Sequence, residues 1–127
     1  MRTVQDMVAE AKARIREIGP DELRELQARG VPVVDVREPA EFAEGHIPGA
    51  VNIPRGVLEF EVDGHPAVNC VRDPALGHRD QPIVLNCRSG ARSALSADAL
   101  RQLGFGEPLS LAGGFIAWAG AGLPVER

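Results

Sequence analysis

Two patterns of apolar residues alternate along the chain. Short runs rich in valine, isoleucine and leucine occur at 31–36, 51–53, 83–85 and 109–111. Between them apolar residues recur every three or four positions. The first pattern predicts strands buried on both faces, and the second predicts amphipathic helices. Val4, Met7, Val8, Ala11 and Ile15 place a helix over 3–14. Gly19-Pro20 ends that segment. Pro20 suits the first position of a second helix, Asp21 and Glu22 favour its positive end, Leu23 and Leu26 point inward, and Gly30 stops it. A short helix is expected from Pro39 to Glu44, followed by turn chemistry at 45–50. Leu95, Ala99, Leu100 and Leu103 mark one face of a helix that Gly104 ends. Gly113-Gly114 leads into a last short helix carrying Phe115, Ile116 and Trp118, with Trp118 read as a core anchor. The segment 55–81 is the least regular. Leu58, Phe60 and Val62 alternate and predict a strand-like piece, and the rest is a long loop of the kind that often serves function.

Four short strands alternating with helices predict an α/β fold with a largely parallel sheet. At 127 residues, 44% hydrophobic and 25% charged, the chain is sized and composed for one globular domain with its own core. A net charge of −4 argues against a nucleic-acid or anionic-membrane partner. No apolar run approaches the roughly 18 residues of a membrane span. The N-terminal segment is charged and periodic, unlike a leader, so a cytoplasmic location is expected. The two cysteines are expected to be reduced thiols.

Candidate chemistry concentrates at Asn86-Cys87-Arg88-Ser89-Gly90-Ala91-Arg92-Ser93. Parallel sheets place ligands beyond the carboxyl ends of their strands, and Cys87 stands at such an end. The small residues Ser89, Gly90 and Ala91 allow a tight curl. The amides of 88–93 can then converge as an anion nest, reinforced by the start of the next helix. A thiol in that setting has its pKa lowered from about 8.5 toward roughly 3.5–7.5. Arg88 and Arg92 make the loop locally positive. The bland alternative, a buried and inert cysteine beside a turn, is outweighed by this combination.

The same loop resembles the active-site loop of single-domain rhodaneses. Two further stretches resemble signatures of that family: Asp35-Val36-Arg37-Glu38 through Glu41-Phe42 with Gly45-His46-Ile47-Pro48-Gly49-Ala50-Val51-Asn52-Ile53-Pro54, and Leu111-Ala112-Gly113-Gly114-Phe115 through Trp118 with Gly122-Leu123-Pro124-Val125. The matches run from about residue 18 to 125, which leaves 1–17 as an N-terminal helical extension and 18–127 as a rhodanese-like domain. The resemblance implies a three-layer fold, with a central, mainly parallel sheet flanked by helices. It implies a sulfurtransferase that moves a sulfane sulfur from thiosulfate or a related small anionic donor to a thiol or cyanide acceptor, through a persulfide on Cys87, with no cofactor. Arg88, Ser89, Gly90, Ala91, Arg92 and Ser93 are then the substrate-binding anion loop, with Asp35 and Arg55 as candidate pocket-lining residues.

Three other readings stay open. One is relay of the persulfide to a protein acceptor, and another is a binding module, against which the presence of Cys87 argues. Phosphatases and arsenate reductases of the same fold keep five residues between cysteine and arginine. Here four separate Cys87 from Arg92, and Ser93 stands where the longer loop's arginine would fall. The chain departs from the common family pattern at Asn86, often tyrosine or apolar, and in the long 55–81 segment. Cys70 is more economically an incidental residue than a resolving thiol. His46 is expected to be a structural hydrogen-bonder, Asp35 and Arg37 an orienting pair, and His65 and His78 loop residues without zinc-ligand spacing to either cysteine.

Overall fold

The computed structural model describes residues 1–69, 71 and 73–127. Its elements in chain order are α1 (Val4–Arg14), β1 (Arg16–Ile18), α2 (Pro20–Ala28), β2 (Val33–Asp35), α3 (Pro39–Glu44), β3 (Val51–Asn52), α4 (Leu58–Glu61), β4 (Pro82–Asn86), α5 (Ala91–Gln102), β5 (Glu107–Leu111) and α6 (Gly114–Gly120). The sheet has five strands in the order β1-β5-β4-β2-β3, and every pairing is parallel. It is an α/β three-layer fold with helices on both faces.

Strand alternation divides the core in two. On one side Val34, Ile83 and Leu85 pack with Leu58 and Val62 of the α4 region and with Ala97 and Leu100 of α5. On the other, Val33, Val84, Leu109 and Leu111 pack with Leu23 and Leu26 of α2 and with Trp118 of α6. Trp118 is 2% exposed and donates its indole N–H to the Pro124 carbonyl at 2.6 Å. A proline opens both α2 and α3, where its missing N–H is harmless.

Several expectations need correction. The sheet has a fifth strand, β1, within a stretch whose only buried residue is Ile18. Leu58, Phe60 and Val62 belong to a helical turn rather than a strand: Leu58 and Val62 are fully buried, whereas Phe60 is 89% exposed. The inward face of α5 is Ser93, Ala94, Ser96, Ala97, Asp98 and Leu100, and Leu95 and Ala99 are only half-buried. In α1 only Ala11 is buried, and Val4 and Met7 remain exposed. That helix lies against α5, where Arg14 donates two hydrogen bonds to Asp98, at 2.9 and 2.7 Å. Arg16 and Glu17, placed in the extension by sequence, lie in β1 against β5. Among the described residues no helix is long and apolar enough to cross a membrane.

Candidate active site

Strand β4 ends at Asn86, and the chain turns at once into a loop that delivers α5. Gly90 closes that turn with φ of 106°, a left-handed conformation that favours glycine, and serves as the residue preceding α5. The turn folds the backbone amides inward. The Gly90 N–H donates to Cys87 Sγ at 3.1 Å and the Ser93 N–H at 3.4 Å, while Ser93 Oγ lies 3.5 Å from the sulfur. Cys87 itself is 1% exposed. Burial pushes the thiol pKa up. The Ser93 hydroxyl and the amides of Ser93, Gly90 and Ser89 more than offset it, so the net shift is downward. The sulfur therefore sits in a cradle of N–H groups that favours an anion.

A second element fixes the loop from behind. The Phe115 N–H, at the start of α6, donates to the Cys87 carbonyl at 2.8 Å, and the Ile116 N–H donates to the Arg88 carbonyl at 3.1 Å. Gly114 makes this approach possible. A Cβ there would stand 2.5 Å from the Arg88 oxygen and 2.6 Å from the Cys87 oxygen. With its φ of 58°, no side chain is tolerated without moving the loop.

The two arginines divide their work. Arg92 is held by Glu41 of α3 through bonds of 2.8 and 3.0 Å. That contact is the main reason the Glu41 carboxyl is lowered to about 2. Arg88 is exposed and lines a cleft of about 410 Å³ with Arg37, Glu41, Gly45, Phe115 and Ile116. Of the remaining loop residues, Ser89 is exposed, and Ala91 borders a shallow apolar groove with Val4 and Val8 of α1.

Asp35 does not line the cleft. It is fully buried and grips Arg37, whose Nη2 reaches Asp35 Oδ2 at 2.8 Å and the Gly45 carbonyl at 2.7 Å. Arg37 supplies the cleft wall, with its guanidinium 4.7 Å from the Phe115 ring centroid. Arg55 is also absent from the cleft. The turn after Pro54 sets it one helical turn before Glu59, and the two pair at 2.9 Å. His46 stacks on Phe42, bonds its carbonyl through Nδ1 at 2.9 Å and meets Glu126 through Nε2 at 3.3 Å. The reading of Cys70 falls outside the described residues. Among those described, no group of three or more His, Cys, Asp or Glu is arranged to hold a metal ion.

Three further residues support the loop, and none is among the candidates that the sequence singles out. Glu41 neutralises Arg92, Gly114 admits the loop backbone, and Ser110, fully buried on β5, bonds Ser93 Oγ at 2.8 Å. Ser110 did leave a signal. It is a polar residue inside the apolar run Leu109-Ser110-Leu111, where a buried hydroxyl requires a partner.

A central parallel sheet with a cysteine-centred amide loop at its carboxyl edge defines a class, and comparison with known proteins gives it a family. The chain belongs to the rhodanese-like domain family, whose sequence model matches residues 19–121. It is 37% identical over 113 residues to a sulfurtransferase of Allochromatium vinosum, covering 87% of this chain and 94% of that one. It is 35% identical over 103 residues to the thiosulfate sulfurtransferase GlpE of Pseudomonas aeruginosa, covering 81% of this chain and 83% of the relative. Among solved structures, a protein of unknown function from Rhodopseudomonas palustris, named a possible tyrosine phosphatase, superposes with a TM-score of 0.80 at 32% identity, covering 99% and 96% of the two chains.

Proposed function

We propose that this protein is a sulfurtransferase that carries sulfur as a persulfide on Cys87. The observation that carries this reading is the convergence of the Gly90 and Ser93 N–H groups on Cys87 Sγ, at 3.1 and 3.4 Å. Residues 18–127 hold the sulfur loop and its supports, and the N-terminal extension 1–17 is joined to them through Arg16 and Glu17, which pair with β5.

The Cys87 thiolate attacks the outer sulfur of thiosulfate. A new S–S bond forms to Cys87, the bond between the two thiosulfate sulfurs breaks, and its electron pair leaves with sulfite. The charge on Cys87 passes to the outer sulfur of the persulfide, which the loop amides then solvate. A thiolate or cyanide attacks that outer sulfur, takes it as a new persulfide or as thiocyanate, and returns Cys87 to the thiolate. Sulfite and thiolate are stable leaving anions, so neither half needs a general acid. None of the three histidines is required, and the His46 ring is occupied elsewhere. Arg88, exposed beside the cleft, recruits the anionic donor, and Arg92, tied to Glu41, braces the loop.

The test is mass spectrometry of intact protein and of the Cys87 peptide after thiosulfate treatment. The expected result is addition of one sulfur atom at Cys87, its loss on adding cyanide or a thiol, and no addition in Cys87→Ser. Sulfur transfer persisting in Cys87→Ser would overturn the mechanism. Delivery of the sulfur only to a protein acceptor would assign the domain to relay rather than small-molecule turnover.

A further inference from the structure

We propose that Ser110 is a positioning residue for the sulfur nucleophile, holding the Ser93 hydroxyl so that its proton is directed at Cys87. The proposal rests on the reading that Cys87 is the reacting thiol. Neighbours Leu109 and Leu111 fill the core on the α2 and α6 side of the sheet, so Ser110 projects to the α5 side, where it is 0% exposed. Its Oγ is 2.8 Å from Ser93 Oγ, and Ser93, also 0% exposed, stands 3.5 Å from Cys87 Sγ. The three side chains form a buried file that begins in the sheet and ends at the sulfur.

A hydroxyl has one proton to donate and two lone pairs with which to accept. Serines inside helices commonly turn that proton back onto the carbonyl one turn earlier. Ser96 of the same helix does this, donating to the Arg92 carbonyl at 2.7 Å. Ser93 is held differently. When Ser110 donates to Ser93 Oγ, the Ser93 proton is left to point at the anionic sulfur, and the two bonds reinforce each other. When Cys87 is a neutral thiol, the file can run the other way, with the S–H donating to Ser93 and Ser93 to Ser110. Ser110 thus keeps Ser93 correctly oriented in both charge states of the sulfur.

The charged side chains on the elements around Cys87 bond neither serine. They are Arg88 in the loop, Arg92 at the start of α5, Asp35 and Arg37 at the end of β2, Glu41 of α3, and Arg55 paired with Glu59 of α4. Helix α6 carries no titratable side chain, and the one acidic residue of β5, Glu107, is at the strand's far end. Removing the Ser110 hydroxyl therefore changes the file and leaves these charges in place.

The experiment is the pH dependence of Cys87 alkylation by iodoacetamide, read on the Cys87 peptide, in wild type, Ser110→Ala, Ser110→Thr, Ser93→Ala and the double alanine variant. Thermal melts and circular dichroism show whether each is folded. Ser110→Ala should raise the alkylation midpoint by about 0.5–1 pH unit and slow persulfide formation several-fold near neutrality but not at high pH. Ser110→Thr should restore the midpoint. In the Ser93→Ala background the Ser110 change should have no further effect. A folded Ser110→Ala protein with an unchanged midpoint would overturn the proposal, as would an equal shift in the Ser93→Ala background. If the midpoints shift as expected but thiosulfate adds no sulfur to Cys87, the sulfurtransferase reading fails and the role of Ser110 stands.

Discussion

Arg92 and Glu41, 51 positions apart in sequence, meet in a two-pronged ion pair with bonds of 2.8 and 3.0 Å. The pair ties α3 to the first turn of α5, and so fixes one end of the sulfur loop. It also spends the charge of Arg92 on a neighbour, although the thiolate of Cys87 still feels that charge at a distance. Arg92→Ala should therefore act through loop order rather than donor capture. We expect a loss of about 0.5–1.5 kcal/mol of stability and a lowered kcat, with a smaller rise in the thiosulfate KM than Arg88→Ala produces. Glu41→Gln should resemble it, and the double variant should be little worse than either single one. Denaturant melts and steady-state kinetics on the four proteins check this. Additive losses would separate the two residues.

Gly114→Ala should be among the most damaging single-methyl changes in the protein. The new Cβ would meet two backbone oxygens, of Arg88 at 2.5 Å and Cys87 at 2.6 Å, and neither can swing aside as a side chain would. The substitution also forces an alanine to φ of 58°. We expect a loss of at least about 2–3 kcal/mol, together with loss of persulfide formation. Gly120→Ala is the control. A Cβ there meets nothing within 4 Å, and the change should be nearly neutral.

These relations explain what the sequence could and could not disclose. The buried strands β2, β4 and β5 announce themselves because both faces need apolar residues. Edge strand β1 has one buried residue, Ile18, and leaves no run to detect. Leu58 and Val62 misled because a spacing of four belongs to both periods, and only the exposure of Phe60 decides between them. The tight turn that follows Cys87 is legible from composition, since tight loops need small residues. The partners of the loop are not. Glu41, Ser110 and Gly114 act across the fold, and their distances to Arg92, Ser93 and Cys87 exist only once the sheet has formed. Arg55 is the converse: its place after the motif ending at Pro54 suggests the pocket, but Glu59 one turn later claims it.

Arg88 carries the donor-binding prediction. Its side chain is exposed at the cleft, on the residue that follows Cys87. Arg88→Ala should raise the KM for thiosulfate roughly 10- to 100-fold, from about 1.5–3 kcal/mol of lost charge-assisted contact, with a smaller change in kcat. Because the group is solvent-exposed, the difference from wild type should shrink as salt is added. Steady-state kinetics at low and high ionic strength supplies the check. An unchanged KM with a collapsed kcat would make Arg88 a transition-state group instead.

Acid should loosen the contact between α1 and α5. The Arg14 guanidinium, and then Arg101, hold the Asp98 carboxyl at about 2, below its ordinary value of 3.8. A carboxyl whose folded pKa is depressed stabilises the fold above its unfolded pKa. That contribution fades as pH falls from about 4 toward about 2. Glu41, lowered from 4.5 to about 2, fades over the same window. Asp98→Asn should cost about 1–2 kcal/mol near neutrality, after allowance for solvent around the exposed Arg14 side chain, and much less near pH 2. Urea melts of both proteins across that range test the sign. A gap that widens in acid would reverse it.

One solved structure that this fold resembles is named a possible tyrosine phosphatase. A phosphatase on this loop must wrap a tetrahedral oxyanion and grip its oxygens with an arginine. Here the residue six after Cys87 is Ser93, buried against the sulfur at 3.5 Å and bonded to Ser110. Arg92, the residue before that position, is turned to Glu41. The Gly90 and Ser93 amides close directly on Cys87 Sγ, which suits one added sulfur atom better than a phosphoryl group. Aryl phosphate hydrolysis should therefore be negligible beside thiosulfate:cyanide sulfur transfer by the same preparation. Releasing Arg92 by Glu41→Gln should not create it, since position 93 remains serine. Phosphatase turnover comparable to sulfur transfer, abolished by Cys87→Ser, would show that the loop opens to hold an oxyanion and that its length does not set its chemistry.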